Sequence, residues 1–160
     1  RIYADMQGMR FTGRIQVIYG DIPEKCRHIH VPRLIIQPII ENAFGYGLEN
    51  KERYGILRVS FHELLDEKLR DATEVSIKIE DNGEELTEER LSDIIQKLKK
   101  ESEEDSIEEI TGIMNINRRI RIFCGDGSGV FASRSELGGL CVEIRILNKE
   151  KRKESKCFGF

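Results

Sequence analysis

Tryptophan is absent from these 160 residues, proline occurs only three times, and no apolar run approaches the roughly 20 residues that span a bilayer. No membrane helix is therefore encoded here. The first residues (RIYADMQGMR) have neither the charged-then-apolar profile nor the small-residue cleavage site of a signal peptide. Basic charge is not in excess either, since the net charge is −3, which argues against a duplex nucleic-acid partner. The four cysteines, Cys26, Cys124, Cys141 and Cys157, form no CxxC pair and no finger-like spacing with histidine, so neither a zinc site nor a disulfide framework is indicated. They read as reduced, mostly buried small hydrophobes. What is present, 39% hydrophobic and 34% charged residues over 160, fits one soluble globular domain with a sizeable core.

The pattern along the chain is of short strands interleaved with helices. Ile2, Met6, Met9 and Phe11 have the look of the end of a helix that starts upstream. RIQVIYG alternates Ile15, Val17 and Tyr19 as a half-buried strand does. VPRLIIQPIIENAFGYGL has helical spacing, with the regular part predicted over Pro38 to Tyr46 and closed by Gly45 and Gly47. LRVSFHELL and TEVSIKIED alternate as a paired antiparallel hairpin. A charged stretch follows, in which Leu91, Ile94, Ile95 and Leu98 form a helical stripe on a solvated face, and its ESEEDS end is expected to be mobile. Thr111 to Phe123 is predicted as a further helix, then VFASRS and LCVEIRIL as two strands, and finally a basic, aperiodic, flexible tail. These elements predict an α+β fold, a two-layer α/β sandwich with helices on one face of a mixed, mainly antiparallel sheet.

Three segments carry chemistry. In QPIIENAFGYG, helical spacing stacks Gln37 with Glu41 and Asn42 with Tyr46 beside the apolar stripe, and the neighbouring oxygens suit a hard cation such as magnesium. The same face read without function is simply wet. In IKIEDNGEEL, a strand runs into Asp81, whose carboxylate would face a pocket while Gly83 lets a flat ligand approach the backbone, although DNG is also a common turn. In TGIMNINRRIRI, Gly112 stands before a predicted helix start with Asn115 in its first turn, where free amides attract phosphate.

The order of these segments, ENA, strand-DNG, charged insertion, G-x-x-N-x-x-x-R and a Gly-Gly strand, resembles the C-terminal ATP-binding domain of sensor histidine kinases. That domain shares its superfamily with DNA gyrase, the Hsp90 chaperones and MutL. QPIIENAFGYGLE resembles in particular the LytS/YesM-type bacterial kinases, and the likeness runs from about Tyr3 to Ile146. It implies ATP and Mg2+ as cofactors, with Asn42 on the magnesium that bridges the phosphates and Glu41 beside it as a polarising or basic catalytic group. Asp81 would accept from the adenine amino group, Gly83 would lie against the base, and Tyr46 near adenine or ribose. Gly112, Asn115 and Arg119 would match the second glycine box and its helix.

The resemblance further implies domain limits: residues 1–12 as the end of a dimerisation and phosphoacceptor helix, residues 13–147 as the ATP-binding domain, and residues 148–160 as the tail. Within the domain, a weakly packed ATP lid would occupy about residues 84–111. Implied partners are the phosphoacceptor histidine helices of the same protein, a response regulator and a second copy joined through those helices. The expected location is a cytoplasmic domain of a parent in the bacterial plasma membrane. His28, His30 and His62 do not match the phosphoacceptor. Glu85 and Ile110 stand where the family has glycines, Gly45 where it often has a basic residue, and Leu140 where it has threonine. A degenerate pseudokinase module is the alternative these departures raise, and a serine kinase of the anti-sigma type is a third reading.

Overall fold

A computed structural model of the chain describes residue 5 and residues 13–64, 72–100, 108–125 and 127–149. Among them, five strands form one sheet: β1 (Ile15–Tyr19), β2 (Gly55–Leu64), β3 (Ala72–Asp81), β4 (Gly129–Arg134) and β5 (Leu140–Lys149). Their spatial order is β1-β2-β3-β5-β4. β1 runs parallel to β2, with Ile15 opposite Gly55, and every other neighbouring pair is antiparallel. The sheet is thus mixed and mainly antiparallel, as the alternation predicts. β5 reaches Lys149, two residues beyond the predicted domain end. The upstream helix residues other than Asp5, the ESEEDS segment and the tail from residue 150 lie outside the described residues.

Period-two alternation separates the two faces of the sheet. Leu57 and Val59 of β2, Val75, Ile77 and Ile79 of β3, and Val142, Ile144 and Ile146 of β5 are buried on one face. They pack in one cluster with Ile39 and Ile40 of α2 (Gln37–Asn42), Ile94 and Leu98 of α3 (Glu88–Lys100), and Ile113, Ile116 and Ile120 of α4 (Glu108–Cys124). A one-turn helix, α1 (Glu24–Arg27), precedes α2. The opposite face is polar. There Arg58 donates to the Glu80 carboxylate at 2.9 and 3.0 Å across directly paired positions, and Ser76 and Arg145 both donate to Glu143.

Four local outcomes differ from the sequence expectation. The first helix is α-helical only from Gln37 to Asn42, and residues Ala43–Gly47 form a π-helical turn, closed by the Leu48 amide on the Ala43 carbonyl at 2.9 Å. Two glycines in five residues make that wider turn sterically cheap. α4 starts at Glu108, so Gly112 is its fifth residue, past the four amides that a helix start leaves unpaired, and Asn115 lies deeper still. The residues upstream of Thr111, Glu108 to Ile110, are themselves good enough helix formers to extend the pattern. The expected weakly packed lid begins instead with α3, whose Ile94 is 0% exposed and whose Leu91 and Leu98 are buried. Its charges sit on the outer side of an amphipathic helix, with Lys97 paired to Asp93 at 3.1 Å. Arg119, expected at the second glycine box, donates to the Arg33 carbonyl at 2.7 Å.

Candidate functional site

Asp81 is the last residue of β3, and its strand parity places it on the core face, in line with Ile77 and Ile79. The residue is only 3% exposed. The Gly83 amide donates to Oδ1 at 2.8 Å and the Leu140 amide donates to the same oxygen at 3.3 Å, while the Gly139 amide donates to the Asp81 carbonyl at 3.2 Å. A carboxylate buried this deeply is tolerated because backbone donors hold it.

Three glycines make room for it. A Cβ on Gly47 would lie 2.8 Å from Asp81 Cγ, one on Gly139 would lie 2.0 Å from Oδ1, and one on Gly83 would meet the Gly47 carbonyl oxygen at 2.4 Å. Backbone from the π turn, the β3 exit and the β5 start therefore converges on one side chain. Gly83 is predicted at this place; Gly47 and Gly139 are not, because in the sequence they read as helix and strand punctuation. Their spacing to Asp81 exists only after folding.

Above Asp81 opens a narrow cleft with a water-accessible volume of about 30 Å³. Asn42, Tyr46, Asp81 and Gly83 all line it, together with the apolar Ile39, Ala43, Ile79 and Val142. Gly112 stands against Asn42, since a Cβ there would contact its Nδ2 at 3.6 Å. Four predicted site residues thus share one cleft and a fifth borders it. Glu41 is exposed and accepts from Gln37 at 3.0 Å, and Asn115 is exposed on α4; neither lines the cleft, nor does Arg119. The buried amide of α4 is Asn117, which accepts the Val130 amide at 2.9 Å and ties the helix to β4.

Two of the departures from the family pattern also line the cleft. Leu140 contributes apolar wall, and Glu85 stands at the rim, where Asn50 donates to its Oε1 at 2.6 Å. Beside it the Lys51 ammonium pairs with Glu84. These contacts join the loop after the π turn to the loop after Asp81. Leu86 and Arg90 complete the rim, with the Arg90 guanidinium 5.7 Å from the centroid of the Tyr46 ring. Gly45 faces open space.

The histidines lie elsewhere: His28 sits beside Glu24 at 3.2 Å and His62 beside Ser60 at 3.0 Å, both exposed. Burial pushes the Cys141 thiol up to about 11, with Glu80 adding to it, and raises Cys26 and Cys124 as well, so these three behave as reduced, weakly reactive thiols. Among the described residues no group of three or more His, Cys, Asp or Glu is placed to hold a metal ion.

The mixed sheet with helices on one face is the fold of histidine kinase catalytic domains. The catalytic domain of the histidine kinase ThkA superposes with a TM-score of 0.54 at 13% identity, covering 91% of this chain and 92% of that one. The blue-light activated histidine kinase EL346 of Erythrobacter litoralis also gives a TM-score of 0.54, at 15% identity, over 91% of this chain and 39% of that one.

In sequence the chain is similar to LytS/YesM-type sensor histidine kinases. It is 24% identical over 136 residues to the sensor protein LytS of Staphylococcus haemolyticus, covering 85% of this chain and 21% of LytS. Over 83 residues it is 34% identical to the sensor histidine kinase YesM of Bacillus subtilis, covering 52% of this chain and 13% of YesM. YwpD of Bacillus subtilis is 32% identical over 144 residues, covering 90% of this chain and 45% of YwpD. The chain therefore spans less than half the length of these curated relatives. No protein-family profile matches it.

Proposed function

We propose that this chain is the ATP-binding catalytic domain of a sensor histidine kinase, which transfers the ATP γ-phosphate to a histidine on an upstream domain in two-component signalling. The observation that carries the reading is the Asp81 carboxylate, buried beneath the cleft and caged by Gly47, Gly83 and Gly139. A carboxylate accepts hydrogen bonds and donates none, so a ligand group that meets Asp81 in the cleft has to be a donor. The 6-amino group of adenine meets that requirement, whereas guanine in the same orientation would present its 6-carbonyl. The glycines let the base lie against backbone.

Magnesium and the phosphates belong on the side of Asn42, whose carboxamide lines the cleft next to Gly112. One oxygen donor from the protein fits a magnesium ion that keeps its waters and the substrate phosphates as its other ligands. The bound ion supplies neutralisation of phosphate charge. Glu41, exposed beside Asn42, is on the solvent side from which an incoming histidine would arrive, and there it serves as the polarising group. The narrowness of the cleft requires Leu86 and Arg90 to move outward as nucleotide enters.

The partners follow from the reading: the phosphoacceptor helices of the same protein, a response regulator, and a second copy of the chain. Its location follows too, as a cytoplasmic domain of a plasma-membrane parent. Among the described residues no helix is long and apolar enough to cross a membrane.

Thermal melting with Mg-ATP and Mg-ADP tests the proposal. Ligand at about 100 times its Kd stabilises a single site by roughly 2.7 kcal/mol, a rise of several degrees for a domain of this size. Asp81→Asn is expected to abolish that rise. No shift in the unmodified protein at millimolar nucleotide would overturn the proposal in favour of a nucleotide-free regulatory module.

A further inference from the structure

Asn82 lies between two residues of the cleft, Asp81 and Gly83, yet it stands outside the cleft lining itself. Its contacts run the other way, to the start of β2. The Asn82 amide donates to the Ile56 carbonyl at 3.3 Å, and the Ile56 amide donates back to the Asn82 side-chain Oδ1 at 2.8 Å. In an antiparallel ladder the acceptor of that second bond is a main-chain carbonyl. Here a side-chain carboxamide takes its place, one position past the paired residues Leu57 and Asp81. The sheet is thereby closed at Asn82 while the main chain leaves it, and the Gly83 amide comes back onto the Asp81 carboxylate at 2.8 Å.

The other end of the carboxamide is engaged as well, since Nδ2 donates to the Tyr54 carbonyl at 2.8 Å. Tyr54 has φ 58°, a left-handed conformation that is costly for a bulky residue, although its side chain is 83% exposed and packs little. Strain of this kind persists where the surroundings hold it. Gly55 donates its amide to the Arg14 carbonyl at 2.9 Å, and Leu57 is fully buried, so the strand start to which Asn82 is tied is itself fixed. Beyond Asn82 there is no room to spare. A Cβ on Gly83 would meet the Gly47 carbonyl oxygen at 2.4 Å and Asp81 Oδ1 at 2.9 Å.

We propose that Asn82 is the positioning residue of the adenine subsite: its carboxamide fixes the path of the chain after β3, so that Gly83 and the Asp81 carboxylate meet the base together. The assignment rests on the adenine-nucleotide reading above, and the test separates the two. Kd values are measured by calorimetry, well below each melting midpoint, for ATP and for purine riboside triphosphate, which lacks the 6-amino group. Both are used with Mg2+, on the unmodified chain, Asn82→Ala and Asn82→Asp. The two ligands carry the same phosphates, so the ratio of their Kd values reads the base end alone. The unmodified chain is expected to prefer ATP by about tenfold to a hundredfold, the range for a charge-assisted hydrogen bond, and Asn82→Ala to bring the two ligands within about threefold of each other. Asn82→Asp keeps an acceptor for Ile56 and loses the donor to Tyr54, so an intermediate ratio is expected; its added charge acts on both ligands alike and cancels.

An undiminished ratio in Asn82→Ala, however far its melting temperature falls, would overturn the proposal, because the carboxamide would then serve stability alone. If Asn82→Ala does not fold, Asn82→Asp decides: the parent's ratio overturns the proposal and a reduced ratio supports it. An unmodified chain that binds neither ligand, or binds both equally, refutes the adenine reading itself and this assignment with it.

Discussion

A methyl group on the Cα of Gly139 would lie 2.0 Å from Oδ1 of Asp81, closer than any packed side chain can approach. Two residues 58 positions apart are thereby made interdependent: the acid keeps its buried position only while β5 begins with a bare backbone. Gly139→Ala is expected to destabilise the domain by about 1–3 kcal/mol, the range for an overpacked interior, and to remove nucleotide-induced stabilisation along with it. Gly45→Ala is the matching control, because its Cβ would meet nothing within 4 Å, and it should leave both melting temperature and ligand shift almost unchanged.

Glu85 places a carboxylate at the mouth of the cleft, held there by Asn50 at 2.6 Å. Glu85→Gln removes the charge while keeping a partner for Asn50. It should leave stability within about 0.5 kcal/mol, as exposed substitutions do, and tighten ATP severalfold. Asn50→Ala should have the opposite effect on affinity, since it releases the carboxylate to swing towards the phosphates. Titration of the two variants side by side checks the sign.

Leu91, Ile94 and Leu98 are buried and pack helix α3 against the domain. Ile94→Ala is expected to cost about 2–5 kcal/mol in chemical denaturation with an unchanged m-value, the signature of a cavity in a packed interior. A cost below about 0.5 kcal/mol would show that α3 is loosely attached. Gln96, on the exposed side of the same helix, should tolerate Ala within about 0.5 kcal/mol.

On the outer face of the sheet, burial pulls the Glu143 carboxyl up, but the Arg145 guanidinium and the Ser76 hydroxyl together outweigh it and hold the group below its ordinary value. A depressed folded-state pKa contributes stability that is complete above the unfolded value of about 4.3 and is lost as pH falls through the lower folded value. Ser76→Ala should therefore flatten the acid limb of the stability curve below pH ~4.3, with the difference from the parent largest on the neutral side. Urea midpoints measured between pH 3 and 7 report it.

Much of the fold was legible because strand and helix periods leave one-dimensional traces. Leu57, Val59, Ile77, Ile79, Val142 and Ile144 alternate in the sequence as they do in the sheet, and the first strand, Ile15–Tyr19, lies within the RIQVIYG segment whose alternation predicts it. Asp81 and Gly83 were legible for the same reason, since a strand that ends in DNG advertises its end. Contacts between distant segments leave no such trace. Gly47 and Gly139 look like ordinary breakers until the chain closes on Asp81, and Arg90 looks like one more charge in a charged helix until Tyr46 is beneath it. The start of α4 was misplaced because Gly112 resembles a helix boundary locally, while its lack of a side chain is matched by its position against Asn42.

The π-helical turn at Ala43–Gly47 sets a rule about chain length. Its Leu48-to-Ala43 bond closes a loop one residue wider than an α-helical turn. Removing any one residue between Asn42 and Leu48 would restore the tighter ladder and rotate everything after the deletion by about 100° around the helix axis. Tyr46 and Gly47 would then no longer face Asp81 together. Substitutions in this stretch are graded in their effects, but insertions and deletions are not, so among sequences related to this one the spacing from Asn42 to Gly47 should be held fixed even where the residues between them vary.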